Sequence, residues 1–141
     1  MATFRIYIFC GQGRYNIDIL KGKETEIMKG IPYINRGNCG ILLLKDINYI
    51  ECTYRKAVIH QEKRTVSMYI SPANLTKYLD DRFNMCLNTL FINFEKVMSL
   101  SNSVITFLDG DTLTLSRNCY FKVRRDYIEY LKNIQKTLAN A

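Results

Sequence analysis

The chain has 141 residues, 48% of them hydrophobic, and a formal net charge of +7 at pH 7. This length suits one domain with a short additional segment, and the hydrophobic content excludes a wholly disordered chain. The positive charge favours an acidic partner, which could be nucleic acid, an anionic membrane or an acidic protein.

The first predicted elements form an N-terminal β ribbon. Residues 3–9 (TFRIYIF) alternate and are rich in β-branched and aromatic side chains, which predicts a strand. Residues 10–13 (CGQG) predict a turn, and residues 14–20 (RYNIDIL) predict a second strand. The segment lacks the third glycine of a phosphate-binding signature, so turn formation is the better interpretation of its glycines.

Residues 21–38 are polar and are interrupted by three glycines and a proline. This composition predicts a connection, with a brief helix around residues 24–28. We therefore expect a domain boundary within residues 30–38. It divides the chain into an N-terminal β extension of residues 1–38 and a main domain of residues 39–141.

The next part of the chain has a strong β pattern. Residues 40–53 (GILLLKDINYIECT) predict a strand, a kink at residues 45–46 and a second strand. Residues 56–61 (KAVIHQ) and 64–70 (RTVSMYI) predict two further strands joined at residues 62–63. The periodicity then becomes helical.

Ser71 and Pro72 are typical of an N-cap and a first helical residue, and the helix is expected to end near residues 80–81. Residues 89–94 (TLFINF) predict a strand, and residues 97–116 predict at least two more around an Asp-Gly turn. Apolar residues at helical spacing predict a terminal helix over residues 120–138. The fold class is therefore mostly β with minor α, without the β-α alternation of a parallel sheet.

No catalytic or metal-binding set is recognisable. His60 is the only histidine, and a Cys52–His60 dyad is less plausible than ordinary packing of the two side chains. The DGD segment at residues 109–111 is typical of a hairpin turn, because cation binding would need further oxygen ligands. We expect no enzyme activity, no cofactor and no metal site.

The five cysteines indicate the cellular compartment in which the protein is expected to work. Their number is odd, no pair has CxxC spacing and no secretory signal precedes them. We therefore expect free thiols and a cytoplasmic protein. No apolar run approaches the length of a membrane span, so no membrane partner is expected.

Two basic clusters are candidates for contact with an acidic partner. Their side chains are Arg55, Lys56, Lys63 and Arg64 in the first, and Arg117, Lys122, Arg124 and Arg125 in the second. Charges on turns and solvated helix faces are normal for solubility, and this explanation stays open. Arg117 and Asn118, however, are expected in a loop directly after a strand, where side chains project from a rigid support. Arginine suits guanine or phosphate, and asparagine suits adenine edges.

Three patterns follow one another in the main domain. Residues 46–51 have the sequence DINYIE, an asparagine (Asn93) follows an apolar strand with Val97 after it, and residues 113–117 have the sequence LTLSR. In order and spacing, residues 39–131 resemble the LytTR DNA-binding domain, the output module of AgrA-type bacterial response regulators. The resemblance implies an elongated arrangement of small antiparallel β-sheets with one short internal helix and a C-terminal helix.

The resemblance also implies that loops at sheet edges, rather than a recognition helix, enter successive major grooves of DNA. Asn93 matches the family's DNA-contacting asparagine, Arg117 matches its base-contacting arginine, and Arg55 and Lys56 lie in the third contact loop. With the second basic cluster, the expected DNA-binding residues are Arg55, Lys56, Asn93, Arg117, Asn118, Lys122 and Arg124. Two alternatives stay open, because Asn93 could cap a turn and Arg117 could pair with a nearby aspartate.

The sequence departs from the family pattern in two places. Where the family often has arginines and a histidine, residues 83–89 have the sequence FNMCLNT, in which Asn88 and Thr89 can still donate hydrogen bonds. The chain before residue 39 is also too short for a receiver domain. The main prediction is a sequence-specific transcriptional regulator that binds double-stranded DNA as a homodimer, or as paired domains on direct repeats. The alternative is a LytTR-fold protein-interaction or inhibitory module that has lost DNA binding.

Overall fold

The structure, a computed structural model, describes residues 15–21, 24–87 and 89–140, with side chains from residue 29 onward. The strand and turn predicted for residues 3–13 lie outside this part of the chain.

Eleven strands and two α-helices form within the described residues. The strands are β1 (Tyr15–Lys21), β2 (Glu24–Asn35), β3 (Asn38–Leu43), β4 (Ile47–Cys52), β5 (Lys56–Gln61), β6 (Arg64–Tyr69), β7 (Phe83–Cys86), β8 (Leu90–Asn93), β9 (Val97–Ser101), β10 (Val104–Phe107) and β11 (Thr112–Thr114). The helices are α1 (Pro72–Thr76) and α2 (Arg117–Ala139), and two short 3-10 turns are Leu44–Asp46 and Phe94–Lys96. The predicted mostly β fold of small antiparallel sheets with a terminal helix is confirmed.

The first sheet has the order β1-β2-β3. The predicted strand at residues 14–20 is confirmed, whereas the connection and brief helix at 24–28 are wrong because β2 pairs with a strand on each side. The expected domain boundary falls at the β2–β3 hairpin. Ile31 and Tyr33, which precede that boundary, are buried in the same core as the strands that follow it.

The central sheet has five strands in the order β6-β5-β4-β8-β7. Its core is apolar and includes the fully buried Ile50, Ile59 and Leu75. Leu75 comes from α1, whose N-cap Ser71 accepts a hydrogen bond from Asn74 N–H, as the Ser-Pro signal predicts. The helix ends at Thr76, earlier than the expected end near residues 80–81.

The third sheet has the order β11-β10-β9 and packs with α2 around a second core, in which Ile105, Phe107 and Val123 are buried. Asn48, itself buried, donates a hydrogen bond to Asp109 in the β10–β11 turn at 2.9 Å and so links the central sheet to the third sheet. Burial alone would raise the pKa of Asp109, but the hydrogen bonds that it accepts outweigh burial and lower it.

The terminal helix is confirmed, although it begins at Arg117 rather than near residue 120. Its apolar stripe divides into two parts. The N-terminal half buries Cys119, Val123 and Tyr127, whereas every residue from Leu131 to Asn140 is exposed. In the described part of the chain, no helix is both long enough and apolar enough to cross a bilayer.

Candidate nucleic-acid interface

Two hairpin turns lie side by side at one end of the central sheet. Because β4 pairs with both β5 and β8, the β4–β5 turn adjoins the β7–β8 turn, and Cys52 N–H donates to Thr89 O at 2.6 Å between them. The β4–β5 turn is braced by backbone hydrogen bonds, since Thr53 N–H donates to Lys56 O at 2.8 Å within the turn and Ile70 N–H, just after β6, donates to Arg55 O at 2.9 Å. These hydrogen bonds fix the turn's backbone and leave its side chains outside.

Arg55 and Lys56 are exposed on this turn, as expected for a contact loop. The Arg55 guanidinium lies over the ring of Tyr54, 5.1 Å from its centroid, and Tyr54 is itself 82% exposed. Neither cation forms an ion pair with any residue that the structure describes. Both charges are therefore available to an external anion.

The last strand of the third sheet, β11, leads directly into the first turn of α2. Ser116 caps the helix, because its hydroxyl accepts a hydrogen bond from Cys119 N–H, and Arg117 and Asn118 are the first two helical residues. The expectation of a loop at these two residues is wrong, since the serine starts a helix there. Both side chains are exposed, and neither has a hydrogen bond or ion pair to the described residues. The free N–H groups and positive dipole end of α2 add to the arginine's charge.

The start of α2 is held against the β7–β8 hairpin. Cys86 and Cys119 pair as a disulfide, with Cα atoms 6.2 Å apart, and the Lys122 ammonium donates to Met85 O at 2.7 Å. The expectation of free thiols is therefore wrong for this pair, whereas Cys39 and Cys52 are free. Contacts thus run without interruption from the β4–β5 turn through the β7–β8 turn to Ser116. We call this group, residues 53–56, Leu87, Thr89 and 116–118, the loop end.

Lys122 and Arg124 differ in availability. Lys122 is half-buried and binds Asp126 at 2.8 Å, so its charge is largely neutralised within the protein. The hydrogen bond from Lys122 is the main cause that lowers the pKa of Asp126, and Asn84 donates to the same carboxylate at 3.0 Å. Arg124 is exposed and has no ion pair among the described residues. It lies two turns after Arg117 on one helix face, about 10 Å along the axis.

Asn93 does not belong to the loop end. It is fully buried at the opposite end of β8, where its amide donates to Leu44 O at 3.2 Å and to Ile47 O at 2.9 Å. Its oxygen accepts from Glu95 N–H at 3.0 Å and caps the following 3-10 turn. The expectation that Asn93 projects from a loop is wrong, and the alternative of a turn cap is confirmed. Its amide hydrogens and its oxygen are satisfied by the protein's own backbone, so no group remains for a base.

The Cys52–His60 pair does not form a catalytic dyad. Tyr49, not Cys52, pairs with His60 across β4 and β5, and the two rings stack with centroids 4.1 Å apart. Cys52 lies three positions after Tyr49 along β4, which is about 10 Å of strand. Burial also raises the pKa of the Cys52 thiol to about 11, which keeps it protonated and unreactive at neutral pH. No cluster of three or more metal-ligating side chains occurs among the described residues.

Comparison with known proteins identifies the family. A family model described as the LytTr DNA-binding domain matches residues 39–136. The chain belongs to the LytTR DNA-binding domain family. This match includes the β4–β5 turn and the first turn of α2, and the family is one of DNA-binding domains rather than enzymes.

A solved LytTR structure has a similar fold. It is the LytTr DNA-binding domain of a protein described as a methyl-accepting/DNA response regulator from Bacillus cereus. The two chains are 15% identical with a TM-score of 0.57, and the match covers 71% of this chain and 96% of that one. At this identity the likeness concerns the fold alone. No curated protein sequence matches the chain.

Proposed function

We propose that this LytTR protein is a sequence-specific transcriptional regulator that binds double-stranded DNA through its loop end in the bacterial cytoplasm. The observation that carries the proposal is the exposure of Arg55 and Arg117 on connected elements at the loop end. They lie on different elements of one contiguous surface, and both are exposed without an ion pair to the described residues. Membership of a DNA-binding family supplies the partner.

The separation of the two arginines suits a duplex. Between β5 and β7 lie three interstrand spacings, about 14 Å in all, and α2 starts beyond β7. The two long arginine side chains can increase the distance between their guanidinium groups towards one helical turn of DNA, about 34 Å. We therefore assign the β4–β5 turn and the start of α2 to successive major grooves.

The residues of the loop end have different roles in this proposal. Arg117 offers a bidentate fork to guanine, and Asn118 offers donor and acceptor atoms to adenine. Arg55 and Lys56 supply the second contact, and Arg124 neutralises a phosphate further along α2. Each phosphate contact releases counterions, which gives affinity that falls as salt rises. Because a single loop end covers little DNA, we propose that two copies bind a repeated site.

Selection from random duplexes with the purified protein tests the proposal. The expected result is enrichment of one motif that occurs as two half-sites, with affinity for the selected duplex falling steeply between 50 and 200 mM salt. An Arg117→Ala protein should enrich the same motif with one position relaxed. Enrichment of nothing, together with no binding at low salt, contradicts a DNA-binding role.

One observation favours a second candidate, a LytTR-fold module that binds protein and has lost DNA binding. Two of the seven expected contact residues are engaged inside the molecule, because Asn93 is buried and Lys122 is paired with Asp126. The same salt titration separates the candidates. Absence of DNA binding at low salt, in protein that unfolds cooperatively, supports the module.

A further inference from the structure

A groove lies between the tip of the β2–β3 hairpin and the strands β5 and β6. It is lined by Ile34, Asn35, Arg36, Lys56, Ser67, Met68 and Tyr69. Two of these side chains are cationic and none carries a carboxylate. The hairpin tip precedes residue 39, where the family match begins, whereas the part of the lining on β5 and β6 lies inside the match.

The lining is rich in hydrogen-bond donors. Arg36 is exposed and has no ion pair to the described residues, and Gly37, with a φ of +76°, turns the chain so that the hairpin tip can close. The Asn35 side-chain oxygen accepts from Arg36 N–H, which leaves the amide hydrogens of Asn35 for another acceptor. Ser67 and Tyr69 add hydroxyl groups, and Tyr69 is 89% exposed. Five polar or cationic groups around a groove without carboxylates favour a ligand with repeated negative charge.

The groove is continuous with the loop end. Lys56 belongs to both, since it ends the β4–β5 turn and pairs in register with Tyr69 on β6. Because the central sheet runs β6-β5-β4-β8-β7 and α2 packs near β7, the groove and the start of α2 flank the β4–β5 turn on opposite sides. An anion that occupied both would be long and would pass over Lys56.

We propose that this groove holds the phosphate backbone of the DNA that flanks the bases contacted by Arg117 and Arg55. The inference rests on the proposed function and adds a contact from the β2–β3 hairpin, chiefly through Arg36. Duplex DNA fits better than an acidic protein because the groove continues a surface already assigned to DNA and presents mostly donors. The exposed Ile34 and the Tyr69 ring can pack on deoxyribose, the apolar part of the same backbone.

The experiment measures DNA affinity against salt for wild type and Arg36→Gln, using the duplex obtained by selection. Loss of one phosphate contact should make the slope of log K against log salt less negative by about 0.9. It should also weaken binding roughly five- to tenfold at 0.1 M salt. The preferred motif should stay the same, since phosphates carry no sequence information. Lys132→Gln, which removes an exposed cation from the far half of α2, is the charge-matched control and should leave the slope unchanged.

A second arm uses duplexes shortened on one flank or the other. The Arg36→Gln deficit should vanish on the duplex that lacks the flanking backbone. Equal slopes for Arg36→Gln and wild type overturn the inference while leaving the proposed function intact, and so does a deficit that persists on every duplex. If Arg36→Gln and wild type have equal slopes on DNA but Arg36→Gln binds poly-glutamate more weakly than wild type, the groove would be assigned to an acidic polypeptide instead. If wild type binds no DNA at low salt, the proposed function itself fails.

Tyr69→Phe is a second variant of the groove. It removes one hydroxyl group from the lining and should weaken DNA binding less than Arg36→Gln does.

Discussion

Asn93→Ala should destabilise the fold rather than weaken base recognition. The substitution removes two hydrogen bonds to the carbonyls of Leu44 and Ile47, both fully buried residues, and one from Glu95 N–H. The Leu44 carbonyl keeps the hydrogen bond from Ile47 N–H and loses only its second donor, at a cost of about 0.5–1.5 kcal/mol. Loss of the amide donor at the Ile47 carbonyl costs about 1–3 kcal/mol, and the Glu95 N–H can bind water instead. We therefore expect a loss of about 2–5 kcal/mol in the free energy of unfolding, out of a typical total of 5–15 kcal/mol.

Urea unfolding followed by far-UV circular dichroism measures this loss. With a slope of about 1–3 kcal/mol per molar urea, the midpoint should fall by about 1–3 M. Asn118→Ala is the matched control because Asn118 is exposed and has no side-chain partner among the described residues; its stability should change by less than about 0.5 kcal/mol. The two variants should differ in the opposite way in DNA recognition: Asn118→Ala should relax the preference at one base position, whereas folded Asn93→Ala should keep the preferred sequence. Unchanged stability of Asn93→Ala with lost discrimination would refute the assignment of Asn93 as a structural residue.

Four further outcomes are expected. Arg117→Ala should weaken binding to the selected duplex by about 1–3 kcal/mol and relax one base pair, as measured by titration of single-substitution duplexes; unchanged discrimination in folded protein would remove it from the reading role. Lys122→Ala should lower the thermal unfolding midpoint, because Met85 O and the Asp126 carboxylate lose their donor, and should leave the preferred DNA sequence unchanged; a sequence-selective loss would contradict this. Since the folded-state pKa of Asp126 is lowered, its stabilising contribution is complete above about pH 4 and is lost as the pH falls through that folded value. The stability difference between wild type and Asp126→Asn should therefore shrink on acidification, and a difference that grows would exclude the ion pair. Asn48→Ala should lower stability at neutral pH by leaving the Asp109 carboxylate without its amide donor, measured by the same urea titration; an unchanged midpoint would show that this link between sheets is dispensable.

Much of the fold follows from local pattern. Alternation of apolar and polar residues predicts the strands of the central sheet, and the Ser71-Pro72 pair predicts the start of α1. Residues 24–28 were expected to be a connection because their polar side chains and flanking glycines suggest one. Their strand pairs on both sides, with β1 and β3, and such pairing is invisible to a local pattern.

The candidate site was predicted in part, for physical reasons that differ between residues. Ser116 is a capping residue three positions before Cys119, so the sequence did contain a signal that α2 begins at Arg117. The burial of Asn93 has no such signal, because the carbonyls that it satisfies lie in and directly after a 3-10 turn more than forty residues earlier. The polar, glycine-punctuated sequence around Arg36 is typical of a linker and does not predict its hairpin. Its position beside Lys56 depends on how the first sheet packs against β6.

The bracing of the β4–β5 turn by backbone hydrogen bonds has an evolutionary consequence. Its shape depends on peptide groups, which every amino acid except proline shares, and not on the identity of the side chains at Arg55 and Lys56. A paralogue could replace both side chains and still form the same turn. The side chains at these two positions can therefore diverge much faster than the backbone of the turn that presents them.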